Sequence, residues 1–226
     1  MRTPFRTSLT RRTLLAALAA ALGGAAMPHA GAAEEIRFEH AFGEAVLPGP
    51  ATRVVSLGFT THDTLLALGI QPVAVRYWFG DQPFGVWPWA REKLGAAEPV
   101  VISGEVAIET VASLQPDLIV GIGSGVSQDE YAILSSIAPT IMHPPGATTY
   151  SMPWDELTRI LGRAVGREAL AEELIADTRG RFGAARERHP DWAGRTALAA
   201  YHYAGETGAF SSADTRGTFL RELGFA

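Results

Sequence analysis

The sequence predicts an α/β fold, with one open lobe of parallel strands, a long helical stretch behind it and the start of a second α/β unit at the end. Three observations lead there. From Arg53 to His143, short apolar runs alternate with helical patterns, and alternation of that kind needs parallel strands joined by crossover helices. From Ser151 to His189, apolar residues recur at intervals of three and four over roughly 35 residues, long for a crossover in a small lobe. The residues from 191 onward supply one strand and one helix, too little to bury a core of their own.

The elements follow in order. Val54-Val55-Ser56-Leu57 reads as the first strand, Thr61 to Leu68 as a short helix closed by Gly69, and Val73-Ala74-Val75 as the second strand, with Arg76 at its C-terminal end. Pro99 to Ile102 is a third strand, Ile108 to Leu114 a helix, and Asp117 to Val120 a fourth strand. Ser127 with Glu130 three residues later forms a capping box for a helix through Ser136, and Thr140-Ile141-Met142 is the fifth strand. Ser151 is the expected cap of the next helix, whose apolar residues are Trp154, Leu157, Ile160 and Leu161; after Gly162 and Gly166 the pattern resumes with Leu170, Leu174, Ile175 and Phe182 and stops before Pro190. Periodicity alone allows either a crossover helix lying on the sheet or a strut between two lobes. The end of the chain offers one strand, Ala197 to Tyr201, a loop, and a helix from its N-cap Asp214 to Leu223. The natural gene is expected to continue past Ala226.

The first 32 residues carry four arginines and no acid, then an apolar stretch from Leu14 to Met27 and the small residues Ala30-Gly31-Ala32. That is the order of an export signal, and the apolar part is shorter than the roughly 20 residues a membrane-spanning helix needs. Arg11-Arg12 followed by Thr13-Leu14-Leu15 resembles a twin-arginine signal, so the mature chain is expected to begin near Ala33 and to work in a periplasm. Without the leader, fifteen basic residues face twenty-four acidic ones, which argues against a nucleic-acid surface. Cysteine is absent, which removes disulfide scaffolds, thiolate metal sites, thiol nucleophiles and the lipid-bearing cysteine of a lipoprotein.

The catalytic and cofactor motifs fail one by one. Gly121-Ile122-Gly123-Ser124-Gly125 follows a strand, but a dinucleotide fingerprint would need glycine where Val126 stands, and the next strand ends Met142-His143 with no acid. The only lysine, Lys93, is nowhere near a glycine-rich phosphate loop, and no serine sits in a G-x-S-x-G elbow. Histidines are scattered singly, although His62-Asp63 and His202 could meet across a cleft. No resident metal, catalytic residue or cofactor is assigned.

In open α/β sheets ligands bind beyond the carboxyl ends of the strands. There the first strand presents Phe59, Thr60 and His62, the second presents Arg76, Tyr77 and Trp78, and the fourth presents Ser124. Six aromatics crowd positions 77 to 89. Trp87 and Trp89 have two readings, as ligand contacts or as pins for the helix that follows. Across the cleft the last strand offers Tyr201, His202 and Tyr203.

With these residues in view, the chain resembles the periplasmic substrate-binding proteins of iron-siderophore and cobalamin ABC importers. The resemblance rests on Arg53-Val54-Val55-Ser56-Leu57 through Leu65-Leu66-Ala67-Leu68-Gly69-Ile70-Gln71-Pro72-Val73, on Ile108-Glu109 through Leu114-Gln115-Pro116-Asp117-Leu118-Ile119-Val120, and on Tyr131 through Ser136-Ile137-Ala138-Pro139-Thr140. Gly80-Asp81-Gln82-Pro83 with Trp87-Pro88-Trp89 looks most like the ferric-siderophore branch. The resemblance implies two Rossmann-like lobes joined by a single long helix, the second lobe truncated in this chain. It divides the sequence into a signal peptide (1–32), an N-terminal ligand-binding lobe (33–150), a connecting helical region (151–190) and the start of the C-terminal lobe (191–226). It implies a monomer that binds a ferric siderophore and delivers it to an ABC permease in the inner membrane, making and breaking no bond, with Glu109 as the N-lobe residue that docks on the permease. Tyr77, Trp78 and Tyr203 would lie against the chelate and Arg76 would meet its anionic oxygens, with a hydroxamate or mixed chelate favoured over a triply charged catecholate. The alternatives are the same fold binding cobalamin or haem, and an extracytoplasmic metal-dependent α/β enzyme.

Overall fold

Parallel strands covered on both faces are buried at every position and mostly apolar, and two runs show that pattern. Val54-Val55-Ser56 and Leu118-Ile119-Val120 are buried throughout. In the computed structural model, which describes residues 35–226, these runs are adjacent strands, β3 (Val54–Ser56) and β6 (Leu118–Val120), at the centre of a five-stranded parallel sheet. Strand β4 (Ala74–Arg76) lies beside β3, β5 (Val100–Ile102) beside β4, and β7 (Thr140–Ile141) beside β6, in the order β5-β4-β3-β6-β7. The expected export signal over 1–32, with Arg11-Arg12, lies outside the described residues.

Strand alternation splits the core in two. Val54, Leu118 and Val120 face one way, with Leu65 and Leu68 of helix α1 (Thr61–Ala67) and the residue after it, and with Leu161 of α5 (Trp154–Ala164) and Ala171 of α6 (Glu168–Arg188). Val55 and Ile119 face the other way, with Val111 of α3 (Ile108–Ser113) and Leu134 of α4 (Gln128–Ile137). Helix α2 (Pro88–Leu94) closes a smaller cluster in which Val86, Ala90 and Leu94 meet Leu66. At the start of α4 both halves of the capping box form, Ser127 Oγ accepting from the Glu130 N–H and the Glu130 carboxylate accepting from the Ser127 N–H.

An element absent from the sequence reading precedes the sheet. Strands β1 (Ile36–His40) and β2 (Gly43–Leu47) form an antiparallel hairpin whose Phe38, His40, Ala45 and Leu47 point inward. The Ala41 N–H donates to the His143 carbonyl (2.9 Å), tying the hairpin to the end of β7.

The helical stretch is two helices. It breaks at Gly166, which adopts φ +65° against the Pro50 ring, and α5 and α6 then fold back on each other where Gly162 leaves no room for a Cβ beside Ala171. Ser151 does not cap α5: its hydroxyl closes a turn with Thr148, and Pro153 holds the N-cap position. Helix α6, about 30 Å long, buries Ala171 and Ile175, with Ala171 against Gly162 of α5. Its far half carries Phe182 to Phe219 of α7 (Thr215–Glu222), 5.6 Å between centroids. No strand of the five-stranded sheet follows α6 among the described residues, so it is not a crossover within that sheet.

The expected strand at Ala197 to Tyr201 is displaced and doubled. Strands β8 (Ala200–Tyr203) and β9 (Glu206–Ala209) make an antiparallel hairpin through Ala204 and Gly205, both at positive φ (51° and 84°) as a two-residue hairpin turn requires. Alanine in that place carries no turn signal, and Glu206-Thr207-Gly208-Ala209 carries little strand signal. Among the described residues, none after Ile175 is buried.

Three imidazoles are harder to protonate than a free histidine. Burial pushes His40, His62 and His143 below the ordinary value of 6.5, and His143 lowers His40 further by its charge. A group that binds fewer protons folded than unfolded adds stability that is complete above its unfolded value and is lost as pH falls through the depressed one. Glu130, held down by the Ser127 N–H and hydroxyl, and Asp214, held down by Arg216, act only below 4.5 and 3.8. The urea midpoint is therefore expected to drop between about pH 7.5 and 5.5, and His143→Asn to flatten the drop. Equal midpoints at both pH values would contradict this account.

Candidate functional site

Strands β3 and β6 are neighbours, but the chain leaves β3 toward β4 and β5 and leaves β6 toward β7. Loops diverging from adjacent strand ends open a crevice there, the usual ligand position in a sheet of this kind. The crevice is built on glycine. A Cβ on Gly58 would run into the Ile122 carbonyl oxygen, one on Gly121 into the Met142 sulfur, and one on Gly125 into the Tyr150 hydroxyl. Ser56 and Thr61 hydroxyls lie 2.6 Å apart and Thr61 Oγ1 donates to the Gly58 carbonyl (3.2 Å), fixing the start of α1 against the first loop.

Above these loops lies a cavity of about 470 Å3. Phe59, Thr60, Trp78, Ile122 and Gly123 form its floor and one wall, Tyr150, Met152 and Leu157 a second, and Phe210, Asp214 and Arg216 of the C-terminal segment face them. Phe59 and Tyr150 stack at 6.5 Å with 26° between planes. The Arg216 guanidinium lies 3.7 Å above the Phe210 ring and donates to both carboxylate oxygens of Asp214 (2.6 and 2.7 Å). Asp214 also caps α7 by accepting from the Arg216 N–H (2.9 Å). The chamber is thus mostly ring and aliphatic surface, with one charge pair that cancels itself.

Of the residues singled out from sequence, Phe59, Thr60 and Trp78 meet in the cavity wall. Arg76 stands behind it, its guanidinium 5.6 Å from the Phe59 ring and bonded to the Gly104 carbonyl, with Glu130 close enough to feel its charge. Tyr77 is exposed beside it. His62 is only 2% exposed and forms no part of the wall, and neither ring nitrogen has a hydrogen-bond partner. Ser124 is buried as well, its hydroxyl donating to the Gly121 carbonyl (2.6 Å) and accepting from the Val126 N–H (3.1 Å), so it shapes the loop. Tyr201 reaches the cavity only through Phe210, 5.3 Å away; His202 bonds Thr207 Oγ1 (2.7 Å), and Tyr203 points into solvent at 80% exposure. Glu109 is exposed in the first turn of α3.

Sequence reasoning missed Tyr150, Met152 and the Asp214–Arg216 pair as wall residues. The glycines of Gly121 to Gly125 held a usable signal, since clustered glycine at a strand end marks close approach of backbones. Tyr150 lies in a loop with no such mark. Among the described residues, no group of three or more histidines, aspartates or glutamates is placed to hold a metal.

A family model described as periplasmic binding protein matches residues 54–226. The chain belongs to that family. The probable siderophore-binding lipoprotein YfiY of Bacillus subtilis (strain 168) is 31% identical over 193 residues, covering 83% of this chain and 56% of that protein, so the chain spans little more than half the length of this relative. The crystal structure of a periplasmic solute binding protein from Mycobacterium smegmatis str. MC2 155 superposes with a TM-score of 0.77 at 40% identity, over 85% of this chain and 68% of the other. Streptococcus pneumoniae TIGR4 PiaA in complex with ferrichrome gives 0.71 at 28%, over 84% and 67%. The family's α/β architecture, a parallel sheet with a long helix beside it, is the one this chain adopts.

The Gly58–Ile122 approach yields a direct test. Gly58→Ala is expected to force the two loops apart, costing about 1–3 kcal/mol of stability, read as a lower urea midpoint with an unchanged m-value. An unaltered midpoint would show that the loops are not in contact.

Proposed function

We propose that this chain is part of an exported solute-binding protein that captures a ferric siderophore and passes it, unaltered, to an ABC import permease. In this reading residues 33–150 form the ligand-binding lobe, 151–190 the connection, and 191–226 belong to the second lobe, with the export signal in 1–32. The single observation that carries the reading is the chamber at the β3/β6 switch point, where ring faces from Phe59, Trp78, Tyr150 and Phe210 enclose space around few polar groups. A ferric siderophore supplies its own oxygen ligands to the iron, so its carrier needs flat apolar faces and a few hydrogen bonds rather than metal-binding side chains. The B. subtilis relative is named as siderophore-binding and the S. pneumoniae structure contains ferrichrome, which supports the ligand class.

Charge narrows that class. Arg216 is neutralised by Asp214, and the Arg76 guanidinium, held by the Gly104 carbonyl, keeps its charge but lies outside the lining. A trianionic catecholate would meet at most that one uncompensated positive charge, at a large desolvation cost. A neutral or weakly anionic hydroxamate or mixed chelate fits better. Phe59 and Trp78 offer the ring faces, Thr60 a hydroxyl, and Arg76 and Arg216 the donors for remaining anionic oxygens. Glu109, exposed on α3, is the docking residue for the permease.

Tryptophan fluorescence tests the reading. Titration with ferric hydroxamate, ferric catecholate, haem and cobalamin is expected to give saturable quenching by a hydroxamate or mixed chelate, with affinity lowered about tenfold or more in Trp78→Ala. Quenching by haem or cobalamin alone, or by none of the four, would overturn it.

A further inference from the structure

Trp89 is 66% exposed, yet its position is fixed twice. One ring face stacks on Trp87 at 4.9 Å and 11°, and its indole N–H donates to Asp63 Oδ2 (3.0 Å) across the gap between α2 and α1. Holding a large exposed side chain in one place costs conformational entropy, so both contacts must offset that cost. What they hold is a continuous column. Trp87 meets Phe79 at 5.0 Å, and Phe79 meets Trp78 edge to face at 4.2 Å and 77°. Trp78 is the cavity wall. Gly80 keeps the column tight, since a Cβ there would come within 3.1 Å of the Trp87 ring. The far end is equally constrained, because the second oxygen of Asp63 is buried 3.6 Å from Nε2 of the buried His62.

We infer that Asp63 is a positioning residue for the ligand chamber: through Trp89, Trp87 and Phe79 it sets where the Trp78 ring stands in the wall, although it touches no ligand itself. Edge-to-face and stacked ring pairs have preferred geometries, so displacing one ring of a packed row moves the next. The four rings thus belong to one device, and Trp89 does more than pin the helix it opens. The inference rests on the chelate reading only for its consequence; the placement of Trp78 is a property of the free protein.

Three variants test it. Trp89→Phe keeps a ring and removes the N–H, Asp63→Ala removes the acceptor, and Asp63→Asn keeps an acceptor oxygen. In the ligand-free protein, the Trp78 indole N–H signal is expected to shift in the first two and to stay in place in Asp63→Asn. Affinity for the quenching chelate is expected to fall about three- to tenfold in Trp89→Phe and Asp63→Ala, to be retained in Asp63→Asn, and to show no further loss when Trp89→Phe is added to Trp78→Ala. An unmoved Trp78 signal in Trp89→Phe would overturn the inference, as would an equal loss of affinity with and without Trp78. A shifted signal in a protein that binds no chelate would uphold the positioning role and sink the ligand reading instead.

Discussion

The contact between Gly58 and the Ile122 carbonyl is the constraint from which the site follows. Two strands buried on both faces must lie side by side, and their exits must separate, one toward each half of the sheet. The loops can begin that separation only if they first pass each other at backbone distance, which a side chain at Gly58 would prevent. The crevice is therefore a consequence of strand order, and the rings of Phe59, Trp78 and Tyr150 are placed around it by the loops that leave it.

Within that frame, the chemistry is decided by what is already paired. Arginine is present on both sides of the chamber, but one guanidinium is neutralised by a carboxylate and the other, held by the Gly104 carbonyl, stands outside the lining. Ring surface is what remains. A chamber of this kind rewards shape and planarity in its ligand and penalises high charge. The buried histidines lie off the wall, where burial lowers their pKa values and so ties them to the stability of the fold.

How much of this could be read in advance depends on whether a residue's role is local. The doubly buried strands β3 and β6 and the Ser127–Glu130 cap are local patterns, and they appear where the sequence places them. The β1/β2 hairpin alternates Phe38, His40, Ala45 and Leu47 in strand fashion, but over stretches too short and too charged to stand out. Ser151 and the C-terminal hairpin fail for a related reason, since a serine before a helix has several turns open to it and Ala204 is an atypical turn residue. In the site, strand ends pointed to Phe59, Thr60 and Trp78, which the structure places in the cavity wall. Position alone could not show that His62 turns inward, that Ser124 is consumed by its own loop, or that Arg216 is cancelled by Asp214, because each depends on a partner supplied by tertiary structure. The break at Gly166, marked in the sequence by the glycine itself, lies in the structure against Pro50.

The most direct measurement compares backbone amide spectra of the protein with a chelate loaded with ferric iron and with the same chelate loaded with diamagnetic gallium. High-spin ferric iron broadens nearby signals, so the account predicts selective loss around Phe59, Thr60, Ile122 and Gly123 in the ferric spectrum, with Ile36–Leu47 unaffected. Broadening centred elsewhere would contradict the placement of the ligand at the switch point.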